Sequence, residues 1–351
     1  MSRPFRVLSL DGGGMRGLYT ATLLDTLTAR FARERGAASL DVGRGFDLIT
    51  GTSTGGIIAC ALASGKGTGE IRDFYCRFGP KNFKNPAPRS RVKLLVWSLR
   101  NWRHPANSSA VLQEALREVF GTETLSQVFE RRGVALCIPA VNLATQMGRV
   151  FKTPHNPGRQ RDNNWTLMQV CLATSAAPIF LPIAECPDPD APGSFAFVDG
   201  GLWANNPVLI GLIEALSVAP PERDIEVLSV GTCPAPVGRS FGGSINGGVG
   251  FWGVGTEILN AALNAQAQSI EYIVTLLRPN LARHCKVVRL PQSPPSAEQA
   301  RFLGLDVASQ GAVRILQEMG KHDADLIYGR ASREDEPAMA LVRRAWFDMD
   351  A

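Results

Sequence analysis

The sequence predicts an α/β fold with three layers, α/β/α, around a mainly parallel central sheet. Two observations support this prediction. Residues 5–65 twice repeat the order of apolar strand, glycine-containing turn and helix, and further strand and helix segments alternate after them. Successive strand–turn–helix units join parallel strands through crossovers, which place helices on the faces of the sheet.

The first of these units occupies residues 5–36. The strand FRVLSL precedes the loop DGGGMRG, and a helix follows in which Leu23, Leu24, Leu27 and Phe31 recur at helical spacing. This spacing places the four side chains on one face of the helix, which ends at glycine.

The second unit occupies residues 46–65 and has the same order. FDLITG is predicted as a strand, TSTGG as a turn and IIACALASG as a helix that closes at Gly65. Each unit therefore places a glycine-rich turn at the carboxyl end of a strand.

The rest of the chain continues the alternation. The predicted strands lie at 133–144, 148–154, 195–201, 225–232 and 286–291. The predicted helices lie at 108–121, 166–178, about 256–277 and about 297–328. Residues 238–255 are rich in glycine and are expected to form a mobile loop. No boundary divides the chain cleanly, so we expect one domain over residues 1–351, with C-terminal helical segments at about 256–328.

Residues 77–109 interrupt this pattern as a basic, aromatic insertion. They carry eight Lys or Arg residues, and no acidic residue lies between Asp73 and Glu114. Phe78, Phe83, Trp97 and Trp102 are interleaved with the basic residues. This composition favours an anionic membrane surface, into which Trp97 and Trp102 would insert. A lid over an active-site groove is an equal alternative, and a regulatory ligand site is a third.

Composition restricts the class of protein. The chain has 351 residues, of which 45% are hydrophobic, and a net charge of +5. A dedicated nucleic-acid binder would show denser basic clusters, so no nucleic-acid polymer is expected as a partner. The seven cysteines are scattered and never spaced as C-x-x-C, which is atypical of a disulfide framework or a zinc site. No signal peptide and no apolar run of about 18 residues is found, so we expect a cytoplasmic protein that meets the inner membrane peripherally.

The run Gly51-Thr52-Ser53-Thr54-Gly55 has the pattern G-x-S-x-G between a predicted strand and a predicted helix. This pattern is typical of a sharp turn that holds a nucleophile in a strained conformation. The following helix directs its first N–H groups at the reacting centre, where they favour developing negative charge. A helix-capping turn is the alternative interpretation of the motif.

The loop Asp11–Gly17 contains three consecutive glycines, whose N–H groups can converge on one point as an oxyanion hole. The same residues fit G-x-G-x-x-G, so a dinucleotide-binding oxidoreductase is the rival interpretation. That fold needs an acidic residue about 20 positions later, at the end of a second strand. Asp41 lies in that region but does not end a convincing strand, and the rival leaves Gly51–Gly55 unexplained.

These segments together resemble the patatin-like phospholipase family. Its marks D-G-G-G-x-R-G, G-x-S-x-G and D-G-G occur in that order at Asp11–Gly17, Gly51–Gly55 and Asp199–Gly201. The run Ala173–Pro178 looks like a stretch usually found before the D-G-G strand, and the match spans about residues 5–207. The resemblance implies a patatin-like fold and a phospholipase A type of lipid acyl hydrolase that acts on membrane phospholipids without a cofactor or a metal.

Carried over residue by residue, the resemblance makes Ser53 the nucleophile and Asp199 the general base of a Ser–Asp dyad. It assigns the oxyanion hole to Gly12, Gly13 and Gly14. Arg16 and Thr54 are expected to support the loop and the substrate. A Ser–His–Asp triad is the alternative, since α/β hydrolases run in the order Ser, Asp, His. Only His284 and His322 follow Asp199, and both look like ordinary surface or core residues.

The resemblance extends to patatin-like effectors of bacterial antiphage systems, which a cyclic oligonucleotide switches on. It implies a cyclic oligonucleotide activator, with residues 77–109 as a candidate recognition segment through stacking and phosphate contacts. A non-catalytic lipid- or nucleotide-binding module is the remaining alternative. The sequence leaves the number of subunits open, including a homo-oligomer.

Overall fold

The computed structural model describes residues 3–88, 90–233, 256–333, 335–336 and 338–350. Within these residues a mixed sheet contains eight strands. The strands are β1 (Phe5–Leu10), β2 (Leu48–Gly51), β3 (Ala135–Asn142), β4 (Met147–Lys152), β5 (Ala184–Pro187), β6 (Ser194–Asp199), β7 (Ile225–Val230) and β8 (Cys285–Arg289). The order β3-β2-β1-β7-β8 is parallel. By contrast, β4 and β6 run antiparallel to β3, and β5 runs antiparallel to β6.

The α-helices of the described residues fall before, between and after these strands. The first six are α1 (Gly17–Glu34), α2 (Thr54–Ala63), α3 (Thr68–Asn82), α4 (Arg91–Arg100), α5 (Ala110–Phe120) and α6 (Leu125–Arg132). The others are α7 (Leu167–Ser175), α8 (Gly201–Ala204), α9 (Val208–Val218), α10 (Thr256–Leu277), α11 (Gln310–Ala331) and α12 (Ala340–Phe347).

The core lies on both faces of the sheet because successive residues of a strand point to opposite sides. Leu8 and Ile49 enter the larger apolar cluster, which α1, α2, α7, α11 and α12 complete. Val7 and Leu48 enter the smaller cluster, against which α9 packs. The predicted three-layer α/β fold is therefore confirmed.

Strands β2 and β6 meet end to end along one edge of β3. Residues 137–142 of β3 pair with β4 along one edge. The other edge pairs with β2 at Cys137, through Thr50, and with β6 at Ala140, through Asp199. Since β2 is parallel and β6 antiparallel to β3, their carboxyl ends face each other along this shared edge.

The structure differs from the sequence-based prediction in two places. The sheet is more mixed than a mainly parallel one, because β4, β5 and β6 form antiparallel pairs. The helix predicted from residue 297 begins only at Gln310, where the hydroxyl of Ser309 accepts the N–H of Ala312 as an N-cap. The predicted glycine-rich loop at 238–255 lies outside the described residues.

No helix within the described ranges is long and apolar enough to cross a membrane.

Candidate active site

The turn between β2 and α2 holds Ser53 in a strained backbone conformation. Ser53 has φ 54° and ψ −123°, which a residue with a side chain rarely adopts. A Cβ at Gly51 would lie 2.2 Å from the carbonyl oxygen of Gly55, and one at Gly55 would lie 2.3 Å from that of Leu10. Only glycine fits either position, and the resulting sharp turn presents the serine hydroxyl as in a nucleophile elbow.

Ser53 and Asp199 are brought together by the register of the strands. Three residues beyond the Thr50–Cys137 pair, Ser53 comes level with Ala140, which is also the partner of Asp199. The Oγ of Ser53 donates to Oδ2 of Asp199 at 2.7 Å. The predicted nucleophile and base are therefore in direct contact.

The environment of Asp199 sets both its orientation and its charge. Its Oδ1 accepts the N–H of Gly201 at 2.7 Å. Burial raises the pKa of Asp199 to about 6, against the hydrogen bonds from Ser53 and Gly201, which lower it. At neutral pH the carboxylate is ionised and oriented to accept the serine proton.

Thr174 ties these two turns to the sheet. Its Oγ1 accepts the N–H of Ser53 at 2.9 Å and donates to the carbonyl oxygen of Pro139 at 2.6 Å. Its own carbonyl oxygen accepts the N–H of Gly200 at 3.1 Å. The sequence singled out the run Ala173–Pro178 but not this contact, which joins α7 to both sides of the site.

The glycine loop before α1 packs directly on the serine turn. A Cβ at Gly12 would lie 3.3 Å from the Cβ of Ser53. The expectation for Gly12 needs correction, because its N–H donates to the carbonyl oxygen of Asn205 at 2.9 Å and is not available to a substrate. Gly13 and Gly14 line the pocket, and among the described residues their N–H groups have no acceptor.

Arg16 and Thr54 have different positions around this loop. The buried Arg16 donates its Nε–H to the carbonyl oxygen of Gly13 at 3.4 Å and does not line the pocket, so it supports the loop. Burial lowers the pKa of Arg16. Thr54 begins α2 and lines the pocket, and its carbonyl oxygen accepts the hydroxyl of Tyr75 at 2.8 Å.

A pocket lies over Ser53 and Asp199. Its walls are mainly large apolar side chains, among them Phe74, Phe78, Phe83, Leu112, Phe180 and Leu181. Two buried oxygen atoms of lining residues, Thr54 Oγ1 and Asn82 Oδ1, have no hydrogen-bond partner within the described ranges. The pocket therefore fits an apolar chain with few polar groups.

The chain has four histidines, all in described parts of the chain, and none of them lines this pocket. His284 is exposed and lies 3.3 Å from Asp224, and His322 is exposed on α11. The arrangement therefore contains a Ser–Asp pair without the histidine that a triad requires.

The sequence was compared with known proteins. The family model of patatin-like phospholipase matches residues 8–212. The chain belongs to the patatin-like phospholipase family. It is 35% identical to a cGAMP-activated phospholipase of Vibrio cholerae over 335 residues, which cover 90% of this chain and 89% of that protein. A cGAMP-activated phospholipase of Pseudomonas aeruginosa is 33% identical over 342 residues, covering 95% of this chain and 94% of its own length.

Solved structures give more distant likenesses. Human GIVD cytosolic phospholipase A2 is 11% identical with a TM-score of 0.43, and covers 98% of this chain and 60% of its own. VipD from Legionella pneumophila is 12% identical with a TM-score of 0.39, and covers 96% of this chain and 71% of its own.

Sequence reasoning missed Arg289, which anchors the glycine loop of this patatin-like phospholipase. Its guanidinium makes a two-pronged ion pair with Asp11, with nitrogen–oxygen distances of 2.9 and 2.5 Å. The same group contacts Glu271 on α10 at 3.0 Å and donates to the hydroxyl of Ser229 on β7 at 2.8 Å. The side chains are 278 residues apart in sequence, so no local pattern could predict this contact.

The basic segment at 77–109 divides between pocket wall and surface. Phe78 and Phe83 line the pocket. Trp97 is buried, so the expectation that it inserts into a membrane is wrong, whereas Trp102 is exposed. No residue of α4 lines the pocket, so the lid alternative receives no support from this helix.

One group of described residues has the composition of a metal site, with ligand atoms of Cys137, His155 and Glu214 within 4.8 Å of one another. The ammonium group of Lys152 contacts Glu214, and Nδ1 of His155 lies 2.8 Å from the hydroxyl of Thr153. Burial raises the pKa of the Cys137 thiol. These groups are therefore hydrogen-bond and charge partners of one another in a structural network. The ammonium group of Lys152 already pairs with the carboxylate that a metal cation would need.

We expect Arg289→Met to destabilise the fold by about 3 kcal/mol, because it leaves the buried Asp11 carboxylate without its cation. Urea denaturation of the purified variant measures the free energy of unfolding. Arg314→Met is the matched control, since Arg314 is 73% exposed in its side chain and its pair with Glu318 should contribute less than about 0.5 kcal/mol. Equal stability of the two variants would contradict the anchoring role.

Proposed function

We propose that this protein is a serine acyl hydrolase that cleaves ester bonds of membrane phospholipids through a Ser53–Asp199 dyad. The observation that carries the proposal is the 2.7 Å hydrogen bond from the strained Ser53 to Asp199 beneath an apolar pocket. Membership of the patatin-like phospholipase family supports the same chemistry. The whole chain, residues 1–351, acts in this proposal as a single domain.

In the first half-reaction Asp199 takes the proton of Ser53 as the serine oxygen attacks the ester carbonyl carbon. The N–H groups of Gly13 and Gly14 stabilise the oxyanion, together with the amino-terminal end of α2. Asp199 then gives the proton to the departing alcohol oxygen, which leaves an acyl ester on Ser53. In the second half-reaction Asp199 takes a proton from water, hydroxide attacks the acyl ester, and the proton returns to Ser53.

The pocket supports a lipid substrate because its apolar walls can hold an acyl chain. Thr54 Oγ1 and Asn82 Oδ1, which lack partners among the described residues, can bind polar groups of the glycerol region. In this proposal the enzyme reaches its substrate from the cytoplasm by peripheral contact with the inner membrane.

A cyclic oligonucleotide is proposed as the activator, and degradation of the cell membrane in antiphage defence as the outcome. The support comes from relatives named cGAMP-activated phospholipase that align with at least 90% of this chain.

The oxidoreductase alternative loses its support on two counts. The glycine loop packs against Ser53, with Gly13 and Gly14 facing the pocket. Asp41, the candidate ribose ligand of that alternative, accepts at both carboxylate oxygens from Nη2 of Arg132, each at 2.7 Å. A non-catalytic binding module would need neither the strained serine nor its carboxylate partner.

Ser53→Ala should abolish labelling by a fluorophosphonate probe, and Asp199→Asn should lower ester hydrolysis by about 10³-fold or more. The double variant His284→Ala/His322→Ala is the control and should keep its rate within about twofold, because neither ring lies at the pocket. Rates on a soluble short-chain ester measure the hydrolysis of Asp199→Asn and of the double histidine variant, and circular dichroism verifies that each is folded. A collapse of activity in the histidine variant would point to a triad.

Activity should rise with pH through about 6 and then level off, because Asp199 must be ionised to act and burial raises its pKa to about 6. Below that value the rate should fall about tenfold per pH unit. Loss of folding does not explain this fall: a raised folded-state pKa means that protonation of Asp199 favours the folded protein. The profile of kcat/KM on a soluble ester tests it, and a flat acid limb would count against Asp199 as the base.

Addition of cGAMP to the purified protein should raise phospholipid hydrolysis by at least about tenfold. The measurement is release of fatty acid from vesicles, with Ser53→Ala as the blank. Full hydrolysis without nucleotide, combined with no binding of any cyclic dinucleotide, would remove the activator from the proposal and leave the hydrolase in place.

A further inference from the structure

We propose that α4 carries a lipid-docking stripe, formed by Val92, Leu95, Val96 and Leu99, that seats the enzyme on an anionic membrane beside its pocket. The proposal rests on the proposed function as a lipid acyl hydrolase and specifies the surface through which that site meets its substrate.

The helix has two apolar faces, and in the part of the chain that the structure describes only one of them is covered. Leu94 and Trp97 are 8% and 7% exposed. The four stripe residues stand at positions i, i+3, i+4 and i+7, and their exposed fractions run from 53% to 74%. At about 100° per residue, the stripe lies on the side of the helix opposite to Leu94 and Trp97.

The covered face is fastened to the protein by polar contacts. The indole N–H of Trp97 donates to Oδ1 of Asn85 at 3.2 Å, and the amide of Asn85 donates to the carbonyl oxygen of Ala106 at 3.2 Å. The helix cannot roll its stripe inward without breaking this set, so the outward orientation is fixed by the fold.

Both ends of the segment that carries α4 are joined to the pocket wall. On one side the N–H of Ala87 donates to Asp306, which lines the pocket, at 2.6 Å. On the other, the N–H of Asn107 donates to the carbonyl oxygen of Phe180, another lining residue, at 3.0 Å. A membrane bound by the stripe therefore lies beside the pocket that contains Ser53.

The charge around the stripe selects an anionic lipid surface. Lys93 and Arg100 lie about a quarter turn around the helix from the stripe, on the same side of it. Trp102, which is 77% exposed, and Arg103 follow the stripe in sequence. Among the described residues none of these three cations forms an ion pair, and no acidic side chain occurs between Asp73 and Glu114. Apolar side chains between unpaired cations, with a tryptophan at the end, fit the boundary between phosphates and acyl chains.

Binding is tested in the Ser53→Ala background, so that the vesicles stay intact. The stripe variant is Leu95→Glu/Leu99→Glu, and the matched control is Ile213→Glu/Leu326→Glu, which places the same two charges at a 53% exposed isoleucine of α9 and a 47% exposed leucine of α11. Vesicles of phosphatidylethanolamine with phosphatidylglycerol are sedimented with each protein, with and without cGAMP. The stripe variant should bind at least about tenfold more weakly, and the control should bind as the parent does.

Hydrolysis is tested with Ser53 restored and two substrates. The stripe variant should lose at least about tenfold in rate on the same vesicles while keeping its rate on a soluble short-chain ester. Inactivity of the unaltered enzyme on both substrates, with and without cGAMP, would refute the hydrolase itself. An active enzyme whose stripe variant still binds and hydrolyses vesicles like the control would overturn only the docking surface.

A second copy of the chain is the competing occupant of the stripe. Light scattering of the lipid-free protein distinguishes it: the proposal expects Leu95→Glu/Leu99→Glu to leave the molecular mass unchanged. A loss of oligomer mass together with unaltered vesicle binding would assign the stripe to a contact between copies and overturn the proposal.

Discussion

The active site depends on the meeting of two strands that share one edge of β3. The parallel strand β2 ends before Ser53, and the antiparallel strand β6 ends at Asp199, so both reach the level of Ala140 from opposite directions. Their hydrogen bonds to β3 bring the hydroxyl and the carboxylate together, and the N–H of Gly201 orients the carboxylate. Thr174 then closes the junction, because it bonds to both turns and to β3 itself.

The glycine loop is placed by longer-range contacts than the dyad. Arg289 pairs with Asp11 at the start of the loop, and the same guanidinium reaches Glu271 on α10. Leu259 and Leu263, on the same helix, line the pocket. The glycine loop and one wall of the pocket are thus linked through the side chain of Arg289, so displacement of α10 would reach both at once.

The sequence was sufficient for the fold class and for the selection of Ser53 and Asp199, which lie in hydrogen-bond contact, because glycine and serine patterns record local geometry. Gly51 and Gly55 are required by close backbone contacts on either side of Ser53. The direction of β6 was not predictable, because alternation of side chains is the same in both directions along a strand. The hydrogen bond from the N–H of Gly12 to the carbonyl oxygen of Asn205 joins segments far apart in sequence, so no local pattern records it.

The insertion at 77–109 is a second feature that the sequence predicted only in part. Its composition indicated a surface with affinity for anions and for apolar groups, but not which side of α4 the protein covers. Trp97 and the stripe residues are all large and apolar, and the tryptophan is the one that packs inward, with its indole N–H bonded to Asn85.

The burial of Asp199 has a consequence for engineering. A carboxylate whose pKa stands near 6 because of burial is ionised at neutral pH at the expense of folding free energy. Selection for heat resistance alone would therefore favour its replacement by an uncharged residue of similar shape, and would enrich inactive proteins. Screens for robust variants of this chain need a turnover readout alongside the thermal one.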